Sequence, residues 1–106
     1  MTFQNPTGAL HPFTDSDWDV FAGATSFPDG SPPLIGHTNA WTVIVSGDDD
    51  SDRTVVQFVD DESYECWSAT LPLKEDAITI AQAAIDQEPS VFLTTDPRAK
   101  YFDQIN

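Results

Sequence analysis

A chain of 106 residues that carries eighteen carboxylates against four cationic side chains, for a formal net charge of -14, repels itself, so the acid calls for a basic partner, cations or a salty medium. The same charge excludes direct contact with nucleic acid and with anionic membrane surfaces, since both are negative. Seven Phe, three Trp and two Tyr exclude a disordered acidic tail, and the length fits one folded domain, residues 1–106.

Residues 1–12 contain Pro6, Gly8 and Pro12 and read as an irregular N-terminal arm. A short helix follows over about 15–22. Thr14 is its N-cap, Asp17 stands in the capping-box position, and Phe13 and Trp18 take the two places of a hydrophobic staple. Gly23 suits the stop. Residues 24–33 form a loop with a turn at Pro28-Asp29-Gly30, and Pro32-Pro33 blocks helix.

Period two then takes over. Trp41, Val43 and Val45 share one face of a strand, with Thr42, Ile44 and Ser46 on the other. A second strand runs over Arg53–Val59 and a third over Tyr64–Leu71, joined by polar breaks into an antiparallel meander. Ala77, Ile80, Ala81, Ala84 and Ile85 mark the core-facing stripe of the main helix. Glu75 and Asp76 favour its start and Pro89 its end. Ser90–Thr95 reads as a fourth strand, and Asp96-Pro97 opens a last short helix carrying Tyr101 and Phe102. The expected fold class is α+β: a small antiparallel sheet, a three-strand meander plus that fourth strand, packed against one main helix. Short helices lie near both ends, and all helices cover one face.

No cofactor or metal site is expected. Asp48, Asp50 and Asp52 alternate as calcium-loop ligands do, but Arg53 stands where Gly is required and Val59 where Glu is required. Asp15, Asp17 and Asp19 fail in the same way. His11, His37 and Cys66 have no paired zinc ligand at close spacing. Cys66 reads as a small buried hydrophobe in a strand, without a motif linking it to either His, and catalysis is not expected. The single cysteine precludes an internal disulfide. Met1–Pro12 lacks a basic start and a long apolar run, and no membrane span is visible, so a cytoplasmic protein is the expectation. Trp41, Trp67, Phe58 and Phe92 suit a core. Phe27, in a loop, fits a core better than an exposed anchor.

What remains is clustered acid. Asp48, Asp49, Asp50 and Asp52 precede the second strand, and Asp60, Asp61, Glu62 and Glu65 follow it, opposed there only by Arg53. A seven-residue strand is about 23 Å long, and alternate residues lie about 6.7 Å apart on one side. That spacing resembles successive phosphates of a nucleic-acid strand. The eight carboxylates are therefore the candidate partner-binding residues, and the expected partner is a basic nucleic-acid-binding protein. The expected function is a small inhibitor acting by nucleic-acid charge mimicry, as phage anti-CRISPR and anti-restriction proteins do, in the cytoplasm, that of the host if the protein is phage-encoded. An immunity or antitoxin protein neutralising a basic nuclease uses the same physics. A halophile-adapted domain, whose acid binds nothing, is the alternative from another class. On the leading reading, reversing Asp48, Asp50, Asp60 and Asp61 to Lys removes partner binding and leaves the fold intact.

Overall fold

The computed structural model describes residues 10–105. Its elements in chain order are β1 (His11–Pro12), α1 (Asp15–Val20), β2 (Leu34–His37), β3 (Trp41–Gly47), β4 (Thr54–Asp60) and β5 (Cys66–Leu71), then α2 (Lys74–Gln87), α3 (Pro89–Thr95), a 3-10 helix Pro97–Tyr101 and β6 (Asp103–Gln104). The strands make one antiparallel open sheet in sequence order, β1-β2-β3-β4-β5-β6, so the class is α+β.

The two faces of the sheet are covered differently. Trp41, Val43 and Val45 of β3, Val56 and Phe58 of β4 and Ala69 and Leu71 of β5 point to one side. There they meet the α2 stripe of Ala77, Ile80, Ala81, Ala84 and Ile85, the same five residues that the helical period marks. Phe58 is the centre of an aromatic group, stacked on Phe102 at 4.4 Å and edge-on to Phe92 at 5.6 Å. Ile35 and Ile44 point the other way and pack with Phe13, and partly buried Trp18, Phe21 and Ala24 close over them.

The α1 cover is built as its sequence dictates. The Thr14 hydroxyl accepts from the Asp17 N–H, the Asp17 carboxylate accepts from the Thr14 N–H at 2.8 Å, and the Phe13 and Trp18 rings meet edge to face at 5.1 Å. The helix ends at Val20, before Gly23: the Phe21 N–H makes the last helical bond, to the Asp17 carbonyl, and Phe21 itself leaves helical geometry at φ -119° and ψ 54°.

Four expectations are corrected. Helices do not share one face, since α1 lies opposite α2 and α3. Ser90–Thr95 is no strand: Pro89 starts a helix, Glu88 at φ 81° breaks it from α2, and one turn suffices to bring Phe92 onto Phe58. The Thr94 and Thr95 hydroxyls bond back to carbonyls of their own helix, which accommodates a β-branched run there. Instead, β5 gains β6 as its outer neighbour, and β3 gains β2 and then β1. The expected irregular arm falls mostly on residues 1–9, outside the described ones; His11 and Pro12 pair with Ile35 and Leu34.

Phe27 is 3% exposed and belongs to the core, with the Lys74 Nζ 4.1 Å above its ring. Its chain segment crosses the end of β3 so closely that a Cβ on Gly47 would lie 2.3 Å from the Ser26 carbonyl oxygen. Gly23, two residues beyond α1's cap, has nothing within 4 Å of such an atom. In urea unfolding, Gly47→Ala should cost about 1–3 kcal/mol. Gly23→Ala should stay within about 0.5 kcal/mol of wild type. Equal costs for the two would contradict this packing.

Candidate protein-binding face

The two acidic clusters are the turns at opposite ends of β4. Gly47 pairs with Thr54 at one end, where residues 48–53 join β3 to β4, and Trp41 pairs with Asp60 at the other, where residues 61–65 lead into β5. β4 lies between β3 and β5, so the carboxylates at its ends do not line a sheet edge at the strand spacing of about 6.7 Å. The acid stands instead on two tips, separated by the length of β4, about 23 Å.

Turn chemistry divides the eight carboxylates. Asp48 accepts from the Asp50 N–H at 3.3 Å and the Ser51 hydroxyl at 2.9 Å, and its own N–H closes the turn onto the Arg53 carbonyl. Asp49 accepts from the Thr25 hydroxyl, which ties the tip to the segment after α1. Asp60 accepts from the Glu62 and Ser63 N–H groups at 2.9 and 3.2 Å, within a turn that holds Tyr64 at φ 63°. Asp61 accepts from the Thr42 hydroxyl at 2.7 Å. Short acceptors of this kind satisfy turn N–H groups that no strand pairs. Asp50, Asp52, Glu62 and Glu65 are exposed and make no side-chain hydrogen bond among the described residues. The first four carboxylates belong to the fold; the other four are available. Reversal at Asp48, Asp60 and Asp61 would therefore break turns, and the expectation of an intact fold does not suit those positions.

Both tips are tied to the face that α1 partly covers. Asp48 and Asp49 line a recess there with Ser46 and Val55, and the Thr42 side chain that anchors Asp61 lies on that face of β3. Val55, Gln57, Val59, Cys66 and Ser68 form its open part, half-buried, and α1, which carries Asp15, Asp17 and Asp19, covers Ile35 and Ile44 on the same face. The cations are elsewhere. Lys74 starts α2, and Arg98 and Lys100 lie on the 3-10 helix, both elements on the opposite face; Arg53 sits in the first acidic turn.

Two of those cations are spent on acids outside the clusters. The Ser31 hydroxyl, the Ser31 N–H and Lys74 hold the Asp29 carboxyl down at about 2. The Arg98 guanidinium, bidentate on Asp96 at 2.9 and 2.8 Å, and the Gln87 amide hold Asp96 far below the ordinary carboxylate range. Burial pushes the Cys66 thiol up, and its sulfur lies 3.9 Å from the Gln57 amide nitrogen, half-buried on the open face. His37 Nδ1 lies 3.3 Å from the Thr42 hydroxyl at the end of β2. Among the described residues no three His, Cys, Asp or Glu side chains gather to hold a metal ion, and no helix is long and apolar enough to cross a membrane.

The residues that tie the tips down, Thr25 and Thr42, are neutral, and charge-based reading passes over them. The one signal for Thr42 is its place on the second face of the β3 alternation. Comparison with protein-family models, curated proteins and solved structures finds no match.

The lowered carboxyl of Asp29 stabilises the fold fully above about pH 4, the unfolded-carboxylate range, and loses that effect as pH falls towards its folded value. The urea midpoint gap between wild type and Asp29→Asn should be widest at pH 6 and narrow steadily towards pH 2. A gap independent of pH would contradict the assignment.

Proposed function

We propose that this protein is a small inhibitor that occludes the basic nucleic-acid-binding surface of a target protein, by presenting carboxylates where that surface expects phosphates. The observation that supports it is the segregation of charge. Both acidic tips and α1 with its three aspartates belong to one sheet face, where Arg53 is the one Lys or Arg among the described residues. Lys74, Arg98 and Lys100 lie on the elements of the other, mixed there with Glu75, Asp76, Asp86 and Asp96. A solvated acidic surface with no partner needs no such separation, and self-repulsion opposes it.

The mechanism is steric and needs no turnover. Opposed fields accelerate encounter, and added salt slows it. Asp50, Asp52, Glu62 and Glu65 meet the partner's cations directly, because no side-chain bond among the described residues competes for them. Asp48, Asp49, Asp60 and Asp61 hold the two tips in place, so little order is lost on binding.

The test is capture of the target from the native host, followed by competition between this protein and nucleic acid for it. Replacing Asp50, Asp52, Glu62 and Glu65 together by Lys should weaken capture at least about tenfold and flatten its salt dependence. The urea midpoint of that variant should be no lower than wild type. Unchanged affinity and salt dependence, or a target that holds this protein and its nucleic acid together, would refute mimicry. Wild type should also stay folded in 0.1 M KCl. Collapse below about 1 M, where screening of exposed charge is nearly complete, would mark the acid as salt adaptation.

A further inference from the structure

We infer that the recess between the segment after α1 and strands β3 and β4 receives an arginine side chain of the partner, an inference that rests on the proposed reading of this face. The recess encloses about 340 Å³. Phe21, Ala24, Ile44 and Val55 give it apolar walls, and Ser46, Gln57 and Asp49 supply its polar atoms.

Ser46 is the decisive residue. It is 6% exposed, its hydroxyl has no hydrogen-bond partner among the described residues, and it lines the recess. No side-chain polar atom sealed from water lacks a partner among the described residues, so the remaining exposure of this hydroxyl opens into the recess, where a ligand donor would take the place of water. Gln57 and Asp49 are prepared in the same sense. The Gln57 amide nitrogen faces the Cys66 sulfur at 3.9 Å, which leaves its carbonyl oxygen unbonded. Asp49 is held through Oδ1 by the Thr25 hydroxyl, which leaves Oδ2 open. Ser46 and Gln57 stand side by side on one face, because Ser46 pairs with Val55 and Ile44 with Gln57 in the β3–β4 ladder.

The site therefore offers three acceptor oxygens not taken up by the fold, one of them charged, above apolar walls, and the Asp48 carboxylate, bonded within its turn, adds a second negative charge at the rim. The complementary group is planar and cationic, with several N–H donors and an apolar stem. Guanidinium on its three methylenes meets that description. Its flat face packs on Phe21, and its edge donates to Asp49, Ser46 and Gln57 together. An ammonium is a point charge and cannot make both kinds of contact. Arg53 of this chain is exposed and does not line the recess.

The direct test titrates isotope-labelled protein with N-acetyl-arginine amide and follows the backbone amides by NMR. Shifts at Ser46, Gly47, Asp49, Val55 and Gln57 should saturate together. N-acetyl-lysine amide should bind at least about threefold more weakly, and Ser46→Ala should weaken the arginine probe by a similar factor with an unchanged urea midpoint. Shifts that never saturate, that fall equally on Glu62 and Glu65, or that match for the two probes would overturn the assignment. Loss of target capture in the four-lysine variant without arginine uptake would overturn the recess alone and leave mimicry standing. Saturable uptake in the recess, with capture indifferent to charge reversal, would sustain the recess and overturn mimicry.

Discussion

Burial of β3 on both faces is the constraint on which the rest of the structure depends. Every residue from Trp41 to Gly47 is buried, so each side of this strand needs its own cover. The α2 stripe and the Phe58–Phe92–Phe102 group supply one cover, and the staple of α1 supplies the other. A second cover requires the chain to cross back over the end of β3, and the Gly47 N–H to Thr25 carbonyl bond at 2.8 Å fixes that crossing. The crossing in turn brings Thr25 to Asp49 and walls the recess. Core packing and the candidate face are thus one construction.

The same geometry explains how the fold carries so much acid. A meander of short turns leaves N–H groups beyond the ladders, and Asp is the side chain best suited to accept from them. Asp17, Asp29, Asp48, Asp60 and Asp96 each accept from a nearby main-chain N–H, so part of the charge is structural. Six more, Asp49, Asp50, Asp52, Asp61, Glu62 and Glu65, stand at the turn tips, where water solvates them and repulsion between the clusters is weakened by distance and screening.

Much of this was legible in the residues because local chemistry decided it. Thr14 with Asp17, Phe13 with Trp18, and the five-residue stripe of α2 specify their structures within a turn or two of helix. The β3, β4 and β5 strands followed from alternation, to within two residues at their ends. Ser90–Thr95 was misleading because its β-branched composition favours a strand, whereas Phe92 had to reach Phe58 from a turn after Pro89. β1, β2 and β6 have four residues or fewer, too short to show a period. The clusters themselves were plain, but their division into turn-holding and available carboxylates depends on partners such as Thr25 and Thr42, distant in sequence. The recess left no trace in the charge pattern, since most of its lining is neutral.

On the proposed function, the acidic face, and not the helical layer behind it, meets the partner. Amide hydrogen exchange of this protein, free and in complex with the captured target, reads that contact directly. Added protection is expected in the two acidic turns, along residues 21–25 and in β4, with α2 and α3 unchanged. Protection concentrated on α2 or α3, with the turns exchanging as in the free protein, would contradict it.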